Sequence, residues 1–239
     1  MKVLKNIKSL VISIAVGIFQ FALLYFTIYL ALKNIMLISQ NSVTWNNITM
    51  KFLEDYSAML LLPTILIIIN RRHLSDFGLC YESKREIFIL LVILILLFIC
   101  HNDFTITGLY KFLFYLVVVA FGEEFIYRGF LYNRLKCNSK VVAIILSGTL
   151  WGICHAIMPS IIHNADIGKY LLSMCNEIGG GIVFGWYFIY LQEKSKTLWI
   201  PILIHAILDY TVGVIGTFTA IGILVYFWVK SKQQRIKQF

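Results

Sequence analysis

The sequence predicts an all-α, polytopic membrane bundle of about eight transmembrane helices, with the N and C termini both cytoplasmic. Three observations predict it. The 239 residues are 59% hydrophobic and only 14% charged, with a mean hydropathy of +0.81, whereas an ordinary soluble domain carries roughly 25% charged residues. Apolar stretches recur at lengths suited to a bilayer, which needs about 20 residues per helix and fewer where polar flanks complete the span. With an even number of spans, 17 of the 21 Lys and Arg residues gather on one face, leaving only Lys33, Lys51, Lys111 and Lys169 on the other. That asymmetry is expected when basic loops stay in the cytoplasm.

The first apolar run, 9–32, is too long for a signal-peptide core and lacks a small-residue cleavage site, so it reads as a retained helix. The longest polar stretch, 33–55, follows as an outer loop. Spans at 56–69 and 87–100 flank an inner loop bearing Arg71, Arg72, Lys84 and Arg85. The fourth span, 109–132, leads into the basic group Arg128, Arg134, Lys136 and Lys140, and the fifth covers 141–157. The sixth, 167–191, is followed by Lys194 and Lys196. The last two, 198–215 and 216–229, have almost no loop between them. Fusing those two would put the basic tail of Lys230, Lys232, Arg235 and Lys237 outside, so charge favours eight.

The chain reads as one integral membrane domain, 1–239, with N-terminal helices over 1–104 and a motif-bearing core over 109–215. Its net charge of +9 is spread over short membrane-flanking clusters without a basic groove or aromatic platform, which argues against nucleic acid and for topology and anionic lipid. Five scattered cysteines with no C-x-x-C pair give neither a disulfide framework nor a zinc signature.

Against this background the stretch A-F-G-E-E-F-I-Y-R-G-F, 120–130, is anomalous. A charged side chain near the bilayer centre costs about 2.5 to 3.5 kcal/mol on insertion scales, so such groups pair or line a wet cavity. Glu124 and Arg128 stand four apart and share a helix face, while Glu123 points about 100° away from Glu124. One glutamate is thus expected to be structural and the other free to act. Trp151 and His155 are also four apart, as are His205 and Asp209, so three helices can bring these groups to one polar chamber. Gly148 and Gly152 beside His155 would admit a neighbouring helix closely. Glu177 lies in a span as well, next to Asn176, and is not assigned to catalysis. His73, His101 and His163 fall in loops.

E-E-F-I-Y-R fits E-E-x-x-x-R, W-G-I-C-H is close to F-x-x-x-H, and H-A-I-L-D fits H-x-x-x-[ND], in that order on successive spans. The chain therefore resembles the CPBP family, the CAAX protease and bacteriocin-processing enzymes also called Abi, which includes the type II CAAX prenyl endopeptidases. The resemblance implies an intramembrane endopeptidase acting on a membrane-associated or lipidated peptide, with Glu123 and His155 activating water and His205 and Asp209 binding the developing oxyanion. Glu124, Arg128 and Trp151 support them. It departs from the family in Trp151, where phenylalanine is commoner, and in Asp209, where many members have asparagine. An ionised Asp209 would repel an oxyanion, so it helps only as a neutral donor, by orienting His205, or with a metal between them. A zinc ion, if held, would take Glu123, His155, His205 and Asp209; the sequence has no H-E-x-x-H, and the metal question stays open here.

Other readings fit less well. Ile145-L-S-G lacks the first glycine of a rhomboid site, Asp209 has no second aspartyl-protease motif, and Cys154 points about 100° from His155. Bis-histidine haem ligation would gain nothing from Glu123. A proton-coupled transporter and a non-catalytic immunity or scaffold protein of the same fold remain as alternatives. The Ile-, Lys- and Asn-rich composition suggests a bacterial cell membrane.

Overall fold

The computed structural model describes residues 2–34, 37–211 and 213–236, and among these the regular structure is helical throughout. Eight helices follow one another: α1 Lys2–Lys33, α2 Ile48–Ile69, α3 Lys84–Cys100, α4 over 106–135, α5 Lys140–Ile162, α6 Ile167–Ser195, α7 Trp199–Thr211 and α8 Val214–Ile236. Four of them, α1, α2, α5 and α8, contain a stretch long and apolar enough to cross a membrane by length and composition. Phe19 and Phe26 of α1, Phe88 and Ile95 of α3, and Phe218 and Trp228 of α8 are exposed, an outer surface that only a lipid environment makes favourable.

Local sequence sets several boundaries. Thr105, Ser139 and Asp166 cap α4, α5 and α6 by accepting the backbone N–H groups of Gly108, Val142 and Lys169. The bond from Lys169 also holds the exposed Asp166 carboxylate below its usual range. Pro159 has no N–H to give the carbonyl of His155 four residues earlier, and the helical path of α5 is broken by a turn at Ala156. His155 therefore sits at the end of a regular helix rather than inside one.

At the centre stands α7, whose residues Ile200 to Ile207 are all buried; α3, α4, α6 and α8 surround it. The closest approach in the bundle is between α5 and α6. A Cβ on Gly148 would lie 2.7 Å from Ile182 Cα, and one on Gly181 would lie 2.7 Å from Gly152 Cα, so the glycines expected to admit a neighbour do so. Within α4, wider i→i+5 turns at Phe114–Phe121 and Phe125–Tyr132 flank a single α turn, Gly122–Glu124. Such turns recur at functional positions.

Three expectations need correction. The segment 33–55 is not wholly an outer loop, because α2 begins at Ile48 and carries Lys51 and Asp55 buried in its first turns. These charges tolerate burial because Lys51 Nζ reaches Asp55 Oδ1 at 2.7 Å and Glu54 Oε1 at 3.3 Å. Arg128, counted among inner-face cations, is fully buried within α4. The seventh helix ends at Thr211 and the eighth starts at Val214, both earlier than the apolar pattern suggested. Lys237, part of the basic tail, lies outside the described residues.

Moving Lys51 and Arg128 out of the loop count leaves its asymmetry intact. A reporter fused to the C terminus is therefore expected to be active only if it functions in the cytoplasm. Activity of an exported reporter such as alkaline phosphatase at that end would refute this topology.

Candidate active site

Because Glu124 and Arg128 face the bundle interior from α4, their charges have only each other and nearby side chains for company. Arg128 Nη1 lies 3.3 Å from Glu124 Oε1, with both side chains at most 1% exposed. The guanidinium sits over the rings of Trp151 at 4.2 Å and Phe188 at 5.1 Å, so cation–π attraction meets much of its charge. None of its nitrogens closes a hydrogen bond.

Glu124 has a second task that helical spacing did not reveal. Its Oε1 lies 2.8 Å from Nδ1 of His205 on α7, which assigns the proton to that nitrogen, since the carboxylate only accepts. Phe188 of α6 stacks on the same imidazole, with centroids 4.9 Å apart and planes at 19°. His205 is thereby held by Glu124 along its edge and Phe188 on its face. Its Nε2 faces Asp209 Oδ2 at 3.4 Å and Glu123 Oε2 at 3.8 Å.

Glu123 is less buried, with 13% of its side chain exposed against none of Glu124. The indole N–H of Trp151 donates to its Oε2, so the tryptophan finds its donor a partner. Nδ1 of His155 lies 3.0 Å from the Trp151 carbonyl. The carbonyl can only accept, so Nδ1 carries the proton and Nε2 keeps its lone pair. Trp151 thus ties Glu123 and His155 together.

Two cavities meet here. One of about 300 Å³ is lined by His155, Glu177, Phe188, His205 and Asp209. The other, about 570 Å³, has Glu123, Tyr127, Cys154 and His155 in its wall. His155 borders both. All four expected catalytic side chains therefore face the cavities, together with Glu177, which the sequence placed in a span without a role. Cys154 is buried and accepts a hydrogen bond from the Tyr127 hydroxyl at 3.1 Å, as a packing cysteine would. His73 is exposed, while His101 rests its ring 5.1 Å from Tyr210.

Phe188 was not singled out in the sequence, yet it contacts both Arg128 and His205. A signal existed: Phe188 follows Gly181 and Gly185 at helical spacing, on the face of α6 that packs against α5.

Among the described residues, no group of three or more His, Cys, Asp or Glu side chains is arranged to hold a metal ion. Oε2 of Glu123 accepts from an indole N–H, and His155 and His205 each hold Nδ1 on an oxygen partner, which leaves Nε2 of each ring as the nitrogen a metal would use.

A helical membrane bundle with two glutamates and two histidines gathered around two adjoining cavities is the class that the fold and site define. Residues 105–211, which hold every side chain of the site, match the family model described as Rce1-like: type II CAAX prenyl endopeptidase Rce1-like. This segment is similar to that family over its matched residues. No curated protein and no solved structure matches the chain.

Proposed function

We propose that the protein is an intramembrane endopeptidase that hydrolyses a peptide bond of a membrane-associated or lipidated peptide, using water activated by Glu123 and His155. The observation that carries this reading is the placement of Glu123. Its carboxylate is oriented by Trp151 in the wall of the larger cavity, with His155 beside it and His205 Nε2 3.8 Å away.

In this reading a water molecule sits against Glu123, which takes its proton as the oxygen attacks the scissile carbonyl carbon. The carbonyl π pair moves to oxygen, giving a tetrahedral oxyanion. A proton on His205 Nε2, with Nδ1–H committed to Glu124, makes that ring a cationic donor aimed at the oxyanion. Collapse expels the amine, which takes a proton from Glu123 or through His155. Asp209, 3.4 Å from His205 Nε2, orients the ring and balances its charge; it does not face the oxyanion as a donor itself. No step passes through a metal.

The test is cleavage of a reporter peptide by wild type and Asp209→Asn, with and without a strong chelator. Asparagine keeps the shape and an acceptor for the ring, so Asp209→Asn is expected to stay within about tenfold of wild type, a loss comparable to one hydrogen bond. Neither protein should respond to the chelator. Loss of wild-type activity that zinc restores would overturn the metal-free reading. Complementation in cells by Glu123→Gln would favour the non-catalytic scaffold instead.

A further inference from the structure

Glu177 stands in the wall of the smaller cavity with His155, His205 and Asp209, and the hydrolysis proposed above gives it no task. Helical spacing puts it on the face of α6 that also carries Gly181, Phe184 and Phe188. A Cβ on Gly152 would lie 2.5 Å from the Glu177 carbonyl oxygen, so contact with α5 fixes the backbone at this point. Phe188 is 1% exposed and stacks on His205, whereas Glu177, about 16 Å further along the axis, is exposed. This face of α6 therefore runs from the buried imidazole to the rim of the cavity. Between the two, a Cβ on Gly180 would meet nothing within 4 Å, which leaves room for a chain beside the helix.

The Glu177 carboxylate is accessible and unpaired. Among the described residues no hydrogen bond or ion pair reaches it, and no Lys or Arg lines this cavity. Exposed Leu171 and Leu172 precede it on α6, and exposed Val183 and Phe184 follow. It thus lies inside the apolar band of the helix, where a carboxylate is costly unless it pairs or lines a wet cavity. Water satisfies it when no peptide is bound. A peptide that fills the cavity displaces this water, and the carboxylate then needs a donor from the peptide.

A charged donor closes a stronger bond to a carboxylate than a neutral amide does. We infer that Glu177 is a specificity-determining residue, which pairs at the rim of the smaller cavity with the ammonium or guanidinium of a Lys or Arg side chain on the bound peptide. The inference rests on the reading that these cavities take the peptide, but it does not require that the peptide be cut. Because α5 fixes the backbone at Glu177, the charged residue should occupy one fixed place relative to the scissile bond.

The test is binding of fluorescent apolar peptides, blocked at both termini, to the full-length protein in detergent. A single Lys is walked along the peptide, and each peptide is compared with those carrying norleucine or Glu at the same position. At one position, or two adjacent ones, Lys should bind about tenfold more tightly than norleucine, the scale of one charge-assisted hydrogen bond. In Glu177→Gln that ratio should fall to about twofold or less, and in Glu177→Lys the preference should pass to Glu at the same position. Glu177 is exposed, so neither change disturbs the core, and melting curves check that both variants fold. A ratio near one at every position in wild type, or a ratio that both variants leave unchanged, would overturn the inference. If Lys is preferred but no peptide is cleaved, the protease reading fails and the role of Glu177 stands; cleavage without any Lys preference does the reverse.

Discussion

Replacing Glu124 with leucine is expected to lower stability and activity together. Arg128 would be left fully buried with no carboxylate and no hydrogen bond, held only by the faces of Trp151 and Phe188. Removing one partner of a buried pair typically costs about 3 to 5 kcal/mol, which is readily seen as a lower melting temperature in detergent. The same change frees Nδ1 of His205. The double variant Glu124→Leu, Arg128→Met separates the two effects, since it removes both charges and replaces them with apolar volume. It should recover much of the stability, yet cleavage should stay low because His205 still lacks its acceptor. A double variant with wild-type activity would show that Glu124 is structural only.

Glu123→Gln is expected to do the opposite, leaving the melting temperature near wild type and removing cleavage. The Arg128 guanidinium pairs with Glu124 rather than with Glu123, and a glutamine oxygen still accepts from the Trp151 indole. What is lost is the ability to take a proton from water. General-base catalysis contributes typically about 10²- to 10⁴-fold, and the fall should appear in kcat, with peptide binding retained. A fall in binding alone, or a stability loss matching that of Glu124→Leu, would contradict this division.

How far the sequence reveals these roles follows from the range over which each signal acts. The all-helical, membrane-type architecture was readable because apolar runs are local, and Gly148 and Gly152 marked the close α5–α6 contact for the same reason. The pairing of Glu124 with Arg128 was readable from a spacing of four. The bond from Glu124 to His205 was not, because it spans 81 residues and depends on how α4 and α7 rotate against each other. The wider turns of α4 were equally hidden, since no local residue type demands them. The start of α2 was misplaced because Lys51, Glu54 and Asp55 look like a solvated loop until their mutual pairing is seen. Convergence of Glu123, His155, His205 and Asp209 could be expected from motif order, but the route by which Trp151 links the first two could not.

Water activated by Glu123 makes a specific statement about where the oxygen of the new carboxylate comes from. The direct measurement is a single turnover in H₂¹⁸O, with wild-type enzyme in excess over a reporter peptide and both peptide product and protein analysed by mass spectrometry. If Glu123 acts as a general base, the new C-terminal carboxylate of the product carries one ¹⁸O and the Glu123 side chain carries none. Label in the Glu123 carboxylate, with an unlabelled first-turnover product, would mean that Glu123 attacks the peptide itself through an anhydride, and would contradict the account.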